Sequence, residues 1–392
     1  MNHLAKPDAA DIVARAHDLA PIIDAHADEI ERTRRLPEPL LSAMHGAKMF
    51  RLLLPRSIGG EEADPGIYLR TVEQISRHDG SLGWNMFVGN SSSLLAAYLP
   101  PGTARTIWGD PRTIVAWGPP NESRARAVPG GYRVSGRWSF ASGCRAANWM
   151  GAHCHVEEPD GSLRLNHAGR PAVRSLVYPV GQAKLIDTWN TIGLRGTASD
   201  SYELDDVFVP EAFSGTREDP AENRESGPLY AFTQQGLYAV GVVGVALGIA
   251  GAMHSAFIEL AAEKTPRGLA RLADNAVIQA KVAQAEAKLE SSRAWLLAVL
   301  AEIYARADGA IPIDLVDRAR VRLACANAIQ AASEVADMTY KEAGVSAIFP
   351  GTPFERRFRD LHTLTQQIQS RGAHYEAVGS ILLGNLPTGI FY

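Results

Sequence analysis

Four side chains within Gly131–Trp149 (GYRVSGRWSFASGCRAANW) have types and spacing suited to ligand chemistry. Trp138 and Phe140 alternate with Ser139, so on an extended strand the two rings share one side. Ser142 follows where the chain turns at Gly143, and its hydroxyl can both donate and accept. Such a strand can wall a flat ligand and place a hydroxyl at its edge. It can equally be a sheet strand that packs two aromatics in a core and ends at Ser-Gly. Farther along, Arg267 and Gln279 lie before and at the start of a long helical pattern. A guanidinium there suits a phosphate, and both residues are also ordinary at helix ends.

Other candidate chemistries fail on spacing. His153-Cys154-His155 has metal-ligand types. On a strand, however, the histidines share one face and the cysteine points to the other, so the three cannot chelate one ion. No metal site is expected. Arg356, Arg357 and Arg359 are interleaved with Glu355 and Asp360, the pattern of a salt-bridged helix face, with an anion site as the alternative. There is no G-x-x-x-x-G-K-[ST], no G-x-G-x-x-G between a strand and a helix, no H-E-x-x-H and no G-x-S-x-G. P-loop, dinucleotide-fold, zinc-protease and serine-hydrolase chemistry are therefore not expected.

Composition narrows the class further. With 39 basic and 43 acidic residues the net charge is −4, which gives no footprint for nucleic acid or an anionic membrane. Hydrophobic residues at 46% and charged residues at 21% exclude collagen-like and disordered chains. Cys144, Cys154 and Cys325 form no C-x-x-C pair and no disulfide framework, as expected in a reducing cytoplasm. The N-terminus lacks an apolar leader core. Gly236–Phe257 is long and uncharged but consists mostly of Gly, Ala and Val, without an aromatic belt or positive flank. It is expected as a buried bundle helix, not a membrane span. Gly241, Gly244, Gly248 and Gly251 on one side would let another backbone approach closely.

These candidates must be positioned by three blocks. Helical periodicity marks Ile12–Arg32, Pro39–His45, Tyr68–Arg77, Gly83–Tyr98 and Thr103–Trp108, with Asp79 as a helix cap. The pattern changes at Trp117-Gly118-Pro119-Pro120. Strand signals follow at Arg124–Val128, Tyr132–Val134, Trp149–Glu157, Leu163–Leu165, Ser175–Pro179, Leu185–Trp189 and Asp200–Val209, spaced as in a small antiparallel barrel or sandwich. Helices return at Asn275–Arg306, Asp314–Ala343, Phe354–Gln369 and His374–Gly384, the first with a bundle seam. The expected domains are an N-terminal helical one (1–118), a middle β one (119–226) and a C-terminal helical bundle (227–392).

Gly131–Trp149 and Trp189–Pro210 (WNTIGLRGTASDSYELDDVFVP) resemble the middle β-domain of the acyl-CoA dehydrogenase fold. The W-S-F-A-S-G and G-L-R-G-T-x-S variants most resemble its branch of two-component flavin-dependent monooxygenases. Asp79–Gly89, Asn275–Leu297 and Phe358–His362 extend the resemblance along the chain in the expected order. It implies an α+β fold: N-terminal helices, an antiparallel β-barrel and a C-terminal four-helix bundle. It implies an oxygenase component that receives reduced FMN or FAD from a separate flavin reductase. With O2 it would oxidise a small aromatic substrate through a 4a-hydroperoxyflavin. By family analogy the resemblance also implies a homotetramer.

A flavin needs a rigid apolar wall and a few polar groups at its edge. Trp138 and Phe140, with Ser139 and Trp117, would form that wall, and Ser142 would hold the oxygenated ring. By the same resemblance Arg267 and Gln279 would reach the flavin of a neighbouring subunit. A dehydrogenase of this fold needs a carboxylate base. The two segments that carry it in the family, here Leu361–Tyr375 and Gly227–Ile258, contain no Asp or Glu. Two histidines usual in the monooxygenases are replaced by Asn90 and Gln367. Amides orient by hydrogen bonding but do not exchange protons at neutral pH, so these two are expected to orient substrate or peroxide. His254 and His362 stand as possible replacements. A dehydrogenase or oxidase with bound FAD and another base, or a non-catalytic scaffold, are the competing readings.

Overall fold

The computed structural model describes residues 9–166, 169–217 and 219–385. Six helices come first: α1 (Ala9–Asp18), α2 (Ala20–Thr33), α3 (Glu38–Gly46), α4 (Pro65–His78), α5 (Gly80–Ser93) and α6 (Pro101–Trp108). The pattern Ile12–Arg32 is split in two because Pro21 has no N–H to continue the ladder, and it sits in the first turn of α2. Asp79 caps α5 as expected, its side chain accepting from the Leu82 N–H at 2.7 Å. Every residue of α5 is buried, so its sequence shows no polar face.

The strands are β1 (Val115–Trp117), β2 (Arg124–Val128), β3 (Gly131–Ala141), β4 (Trp149–Glu157), β5 (Val173–Pro179), β6 (Lys184–Ile186), β7 (Asp200–Pro210) and β8 (Ser214–Gly215). They form one sheet in the order β6-β7-β3-β2-β4-β5-β8, with β1 also on β4. The sheet is mixed, which corrects the expectation of an antiparallel barrel: β1 and β2 both run parallel to β4. They lie end to end along one edge of it, a pairing set by a connection through Asn121 and Ser123 and not by a hairpin. Leu163 and Leu165 make only isolated bridges. The sheet coils enough that the Tyr202 hydroxyl of β7 donates to the Gly151 carbonyl of β4 at 2.6 Å.

The C-terminal block is α7 (Gln234–Glu263), α8 (Ala276–Arg306), α9 (Leu315–Ala343), α10 (Glu355–Leu364) and α11 (Ala373–Leu382). By length and composition α7 could cross a membrane, but its apolar window is 83% buried inside the fold. It is the core helix the glycine pattern predicts. A Cβ on Gly248 would lie 2.5 Å from the Glu73 carbonyl, and one on Gly244 2.8 Å from Val72. The stripe thus lets α4 pack backbone to backbone against α7. The largest core joins α1, α4, α5, α7, α8 and α9, and a separate core fills the coiled sheet.

Candidate active site

The end of β3, the loop 189–199 and helix α5 meet around Ser142. Its hydroxyl lies 2.7 Å from the Ser199 hydroxyl and accepts from the Trp84 indole N–H at 3.1 Å. Ser199 lies 2.8 Å from the Thr197 hydroxyl, which donates to the Leu194 carbonyl at 2.8 Å. The Gly143 N–H is bonded to the Thr197 carbonyl. One residue along α5 from Trp84, the Asn85 amide nitrogen donates to the Gly196 carbonyl at 3.0 Å. The Asn85 Oδ1 is buried with no hydrogen-bond partner, and it lies 3.5 Å from the point where a Gly143 Cβ would be.

The loop is held by contacts its sequence does not announce. Asp360 of α10 accepts from the Leu194 N–H at 2.6 Å. A Cβ on Gly193 would come within 2.2 Å of the Arg359 carbonyl, and one on Gly196 within 2.2 Å of Ile30, so both glycines of G-L-R-G are packing requirements. Phe140, Leu194 and Ala198 adopt left-handed backbone, with φ of 63°, 48° and 41°. Each such residue costs about 1–2 kcal/mol, and their grouping around one turn is the pattern of strain held at functional sites.

The expected two-ring wall does not form. Trp138 is 1% exposed, stacks on Tyr202 inside the sheet at 5.3 Å and donates to the His153 carbonyl. Phe140 is 61% exposed and meets Trp189 edge-on at 6.1 Å. The cause is the irregular register between Trp138 and Ala141 with the positive φ at Phe140, which breaks strand alternation and turns Phe140 outward. Ser139 faces out and bonds the Ser201 hydroxyl at 3.0 Å. Trp117 is largely buried beside Val115 and Val177, edge-on to His153, with the Arg217 guanidinium 5.2 Å from its ring.

Asn90, expected to orient substrate or peroxide, is bonded to backbone on all sides. It is fully buried; its Oδ1 accepts from the Leu52 and Leu53 N–H groups, and its Nδ2 donates to the Met49 and Met86 carbonyls. That accounts for its whole hydrogen-bonding capacity. The Gln367 side-chain oxygen accepts from the Gln369 N–H at 2.6 Å, capping a short turn. Arg267 and Gln279 are exposed at the α7–α8 end of the bundle, and the Gln279 amide donates to the Ala273 carbonyl. His362 lies 3.0 Å from Asp337 and His254 3.2 Å from Glu286, so both histidines face carboxylates of the bundle.

Asp200 and Asp360 accept backbone N–H groups at the loop, and neither is disposed as a base. Asp200 binds Arg145 at 2.6 Å and takes the Thr188 and Trp189 N–H groups. Asp360 is fully buried, and burial followed by repulsion from Asp79 pushes its carboxyl up to about 8. Sequence reasoning passed over Trp84, Asn85, Thr197 and Ser199. The motifs that contain them were visible, but nothing local says that α5 and the loop converge on Ser142.

Comparison with known proteins places this arrangement. Residues 11–104 match the acyl-CoA dehydrogenase N-terminal domain and residues 240–371 the acyl-CoA dehydrogenase C-terminal domain. An indole-3-acetate monooxygenase from Pseudomonas putida is 31% identical over 93% of this chain and 91% of its own length. The flavin-dependent monooxygenase oxygenase subunit HsaA of Rhodococcus jostii is 28% identical over 89% of this chain and 91% of its own. The crystal structure of the HsaA monooxygenase from M. tuberculosis superposes with a TM-score of 0.88 at 24% identity, covering 98% of this chain and all of that one. With the two flanking domain matches and a relative of this similarity along nearly the whole length, the chain belongs to the flavin-dependent monooxygenases, as an oxygenase component built on the acyl-CoA dehydrogenase fold.

Proposed function

We propose that this chain accepts reduced FMN or FAD from a separate flavin reductase and transfers one oxygen atom of O2 to a small aromatic molecule. The observation that carries the reading is the buried polar corner at Ser142 and Asn85, beside the outward-facing ring of Phe140. A reduced flavin, when bound, supplies the electrons that activate dioxygen. The residues present suit its ring: Asn85 Oδ1 is a buried acceptor lacking a donor, and leaving it so is costly. Phe140 and Trp189 offer aromatic surface, and Ser139 and Ser142 offer hydroxyls.

The chain's own residues then bind, orient and exclude water. Ser142 holds the polar edge, and the buried Trp84, whose indole N–H donates to it at 3.1 Å, packs edge-on to Phe87 at 4.8 Å behind it. Gln367 offers its amide NH2 for orientation. The aromatic substrates named for the indole-3-acetate monooxygenases and for the resorcinol hydroxylase of Rhizobium, 26% identical, support this class. The commitment of Asp200 and Asp360 to other groups disfavours a dehydrogenase that removes a substrate proton.

We infer further that segments 1–118, 119–226 and 227–392 act as domains and that four copies assemble. The exposure of Val277 on α8, close before Gln279, supports a self-association face that brings Arg267 and Gln279 to a neighbour's flavin. Three buried free thiols support a reducing cytoplasm. The test is oxygen uptake with chemically reduced flavin and an aromatic acid or phenol panel. Ser142→Ala is expected to shift consumed oxygen from product to hydrogen peroxide. Equal product yield in that variant would remove Ser142 from the site.

A further inference from the structure

We propose that Asp360 of α10 is a positioning residue for the site: through the Leu194 peptide it sets the loop 189–199 so that Thr197 and Ser199 meet Ser142. The proposal rests on the reading above that the Ser142 corner meets the ligand, and on no particular atom of that ligand. The link is a continuous run of polar contacts from the bundle to the sheet. Asp360 accepts from the Leu194 N–H at 2.6 Å. The carbonyl of the same residue accepts from the Thr197 hydroxyl at 2.8 Å and from the Trp189 indole N–H at 2.9 Å. The Thr197 and Ser199 hydroxyls lie 2.8 Å apart, and those of Ser199 and Ser142 lie 2.7 Å apart. Leu194 is thus the joint, with its N–H turned to the bundle and its carbonyl turned to the loop.

Backbone strain shows why the joint needs a partner. Leu194 and Ala198 both hold left-handed φ, 48° and 41°, and such conformations persist only where surrounding contacts over-determine them. The two ends of the loop are tied elsewhere: the Trp189 carbonyl accepts from Arg34 at 2.7 Å, and the Gly196 carbonyl accepts from Asn85 at 3.0 Å. The middle is tied by α10, where Arg359 donates to the Ile192 carbonyl and Asp360 takes the Leu194 N–H. Asp360 is 2% exposed, so water does not stand in for its carboxyl at that N–H. It also adjoins the start of α5, since a Cβ on Gly80 would lie 3.6 Å from its Oδ2. Helix α5 in turn brings Trp84 to Ser142. One carboxyl therefore sits where both elements that reach Ser142 are seated.

The test compares Asp360→Leu, which removes the acceptor at similar volume, with Asp360→Asn, which keeps an oxygen for the Leu194 N–H. Burial pushes the carboxyl up to about 8, so at neutral pH it is mostly protonated and the amide is a close mimic. The first readout is amide hydrogen exchange of the full chain without flavin. Peptides covering 189–199 should exchange about tenfold faster in Asp360→Leu, the worth of one net hydrogen bond, and at the wild-type rate in Asp360→Asn. Unchanged exchange in the folded leucine variant would overturn the proposal. The second readout is release of hydrogen peroxide from chemically reduced FMN and FAD with O2. The wild type should slow that release relative to free flavin, Asp360→Leu should speed it about tenfold, and Asp360→Asn should restore it. In a Ser142→Ala background Asp360→Leu should add little, because both changes act through one hydroxyl; fully additive effects would overturn the proposal. Asp360→Ala, which also lacks the acceptor, carries the same expectations if the leucine variant does not fold. A wild type that leaves peroxide release at the free rate would overturn the reading of the site, while the exchange result still decides whether Asp360 holds the loop.

Discussion

Asn90 and Ser142 illustrate how one residue's role follows from what its polar atoms already touch. Asn90 uses all its capacity on the backbone of Met49, Leu52, Leu53 and Met86. Its truncation leaves the buried Leu52 and Leu53 N–H groups without an acceptor, each costing about 1–3 kcal/mol. Asn90→Ala should therefore lower the free energy of unfolding by about 2–5 kcal/mol in urea titration. A variant of full stability with altered substrate preference would show the opposite role. Ser142, bonded to Ser199 and Trp84, lies at the corner proposed to meet the ligand, so its substitution should be felt in coupling of oxygen to product more than in the urea midpoint.

At the scale of elements, the contact of α4 with α7 depends on absent side chains. A methyl on Gly248 would sit 2.5 Å from the Glu73 carbonyl oxygen and 2.6 Å from the Ser76 Cβ, and neither neighbour can swing away. A methyl on Gly251 would meet only the end of the Arg77 side chain at 2.8 Å, which can move. Gly248→Ala should thus cost about 1–3 kcal/mol by overpacking. Gly251→Ala should be close to neutral, since a helix gains about 1 kcal/mol from alanine over glycine. Thermal unfolding of the two variants checks the contrast; equal losses would mean that the stripe does not set the helix separation.

Across the whole molecule, Asp360 joins the helical bundle to the loop of the β-block. Its carboxyl is raised to about 8 by burial and by Asp79, whereas an unfolded aspartate titrates near 3.9. The folded state therefore retains a proton that the unfolded state releases. Stability from this group is complete below about pH 4, falls as pH rises toward 8, and levels off above it, by on the order of 5 kcal/mol in all. Asp360→Asn keeps an oxygen for the Leu194 N–H and has no charge to titrate. It should flatten the fall in melting temperature between about pH 5 and 8.5, and an unchanged slope would place the titration elsewhere. At the same scale, sedimentation velocity is expected to give a tetramer. Arg267→Ala should weaken flavin binding without changing the sedimentation coefficient.

The order of helical, β and helical blocks was legible in the residues, because hydrophobic period and turn chemistry are local properties. So were the Asp79 cap, β2 and β4 to the residue, and α7 as a core helix whose glycines admit a neighbour. Strand alternation failed at Phe140, where a register shift and a left-handed φ depend on what lies across the sheet. The parallel placement of β1 and β2 on β4 was equally hidden, since pairing across a long connection leaves no mark in either strand. The motif around Ser142 could be read as a place for a ligand's edge. Its surroundings are decided only when Trp84, Ser199 and Thr197 are brought to it from distant parts of the chain, because spacing along the sequence does not say that α5 and the loop converge there.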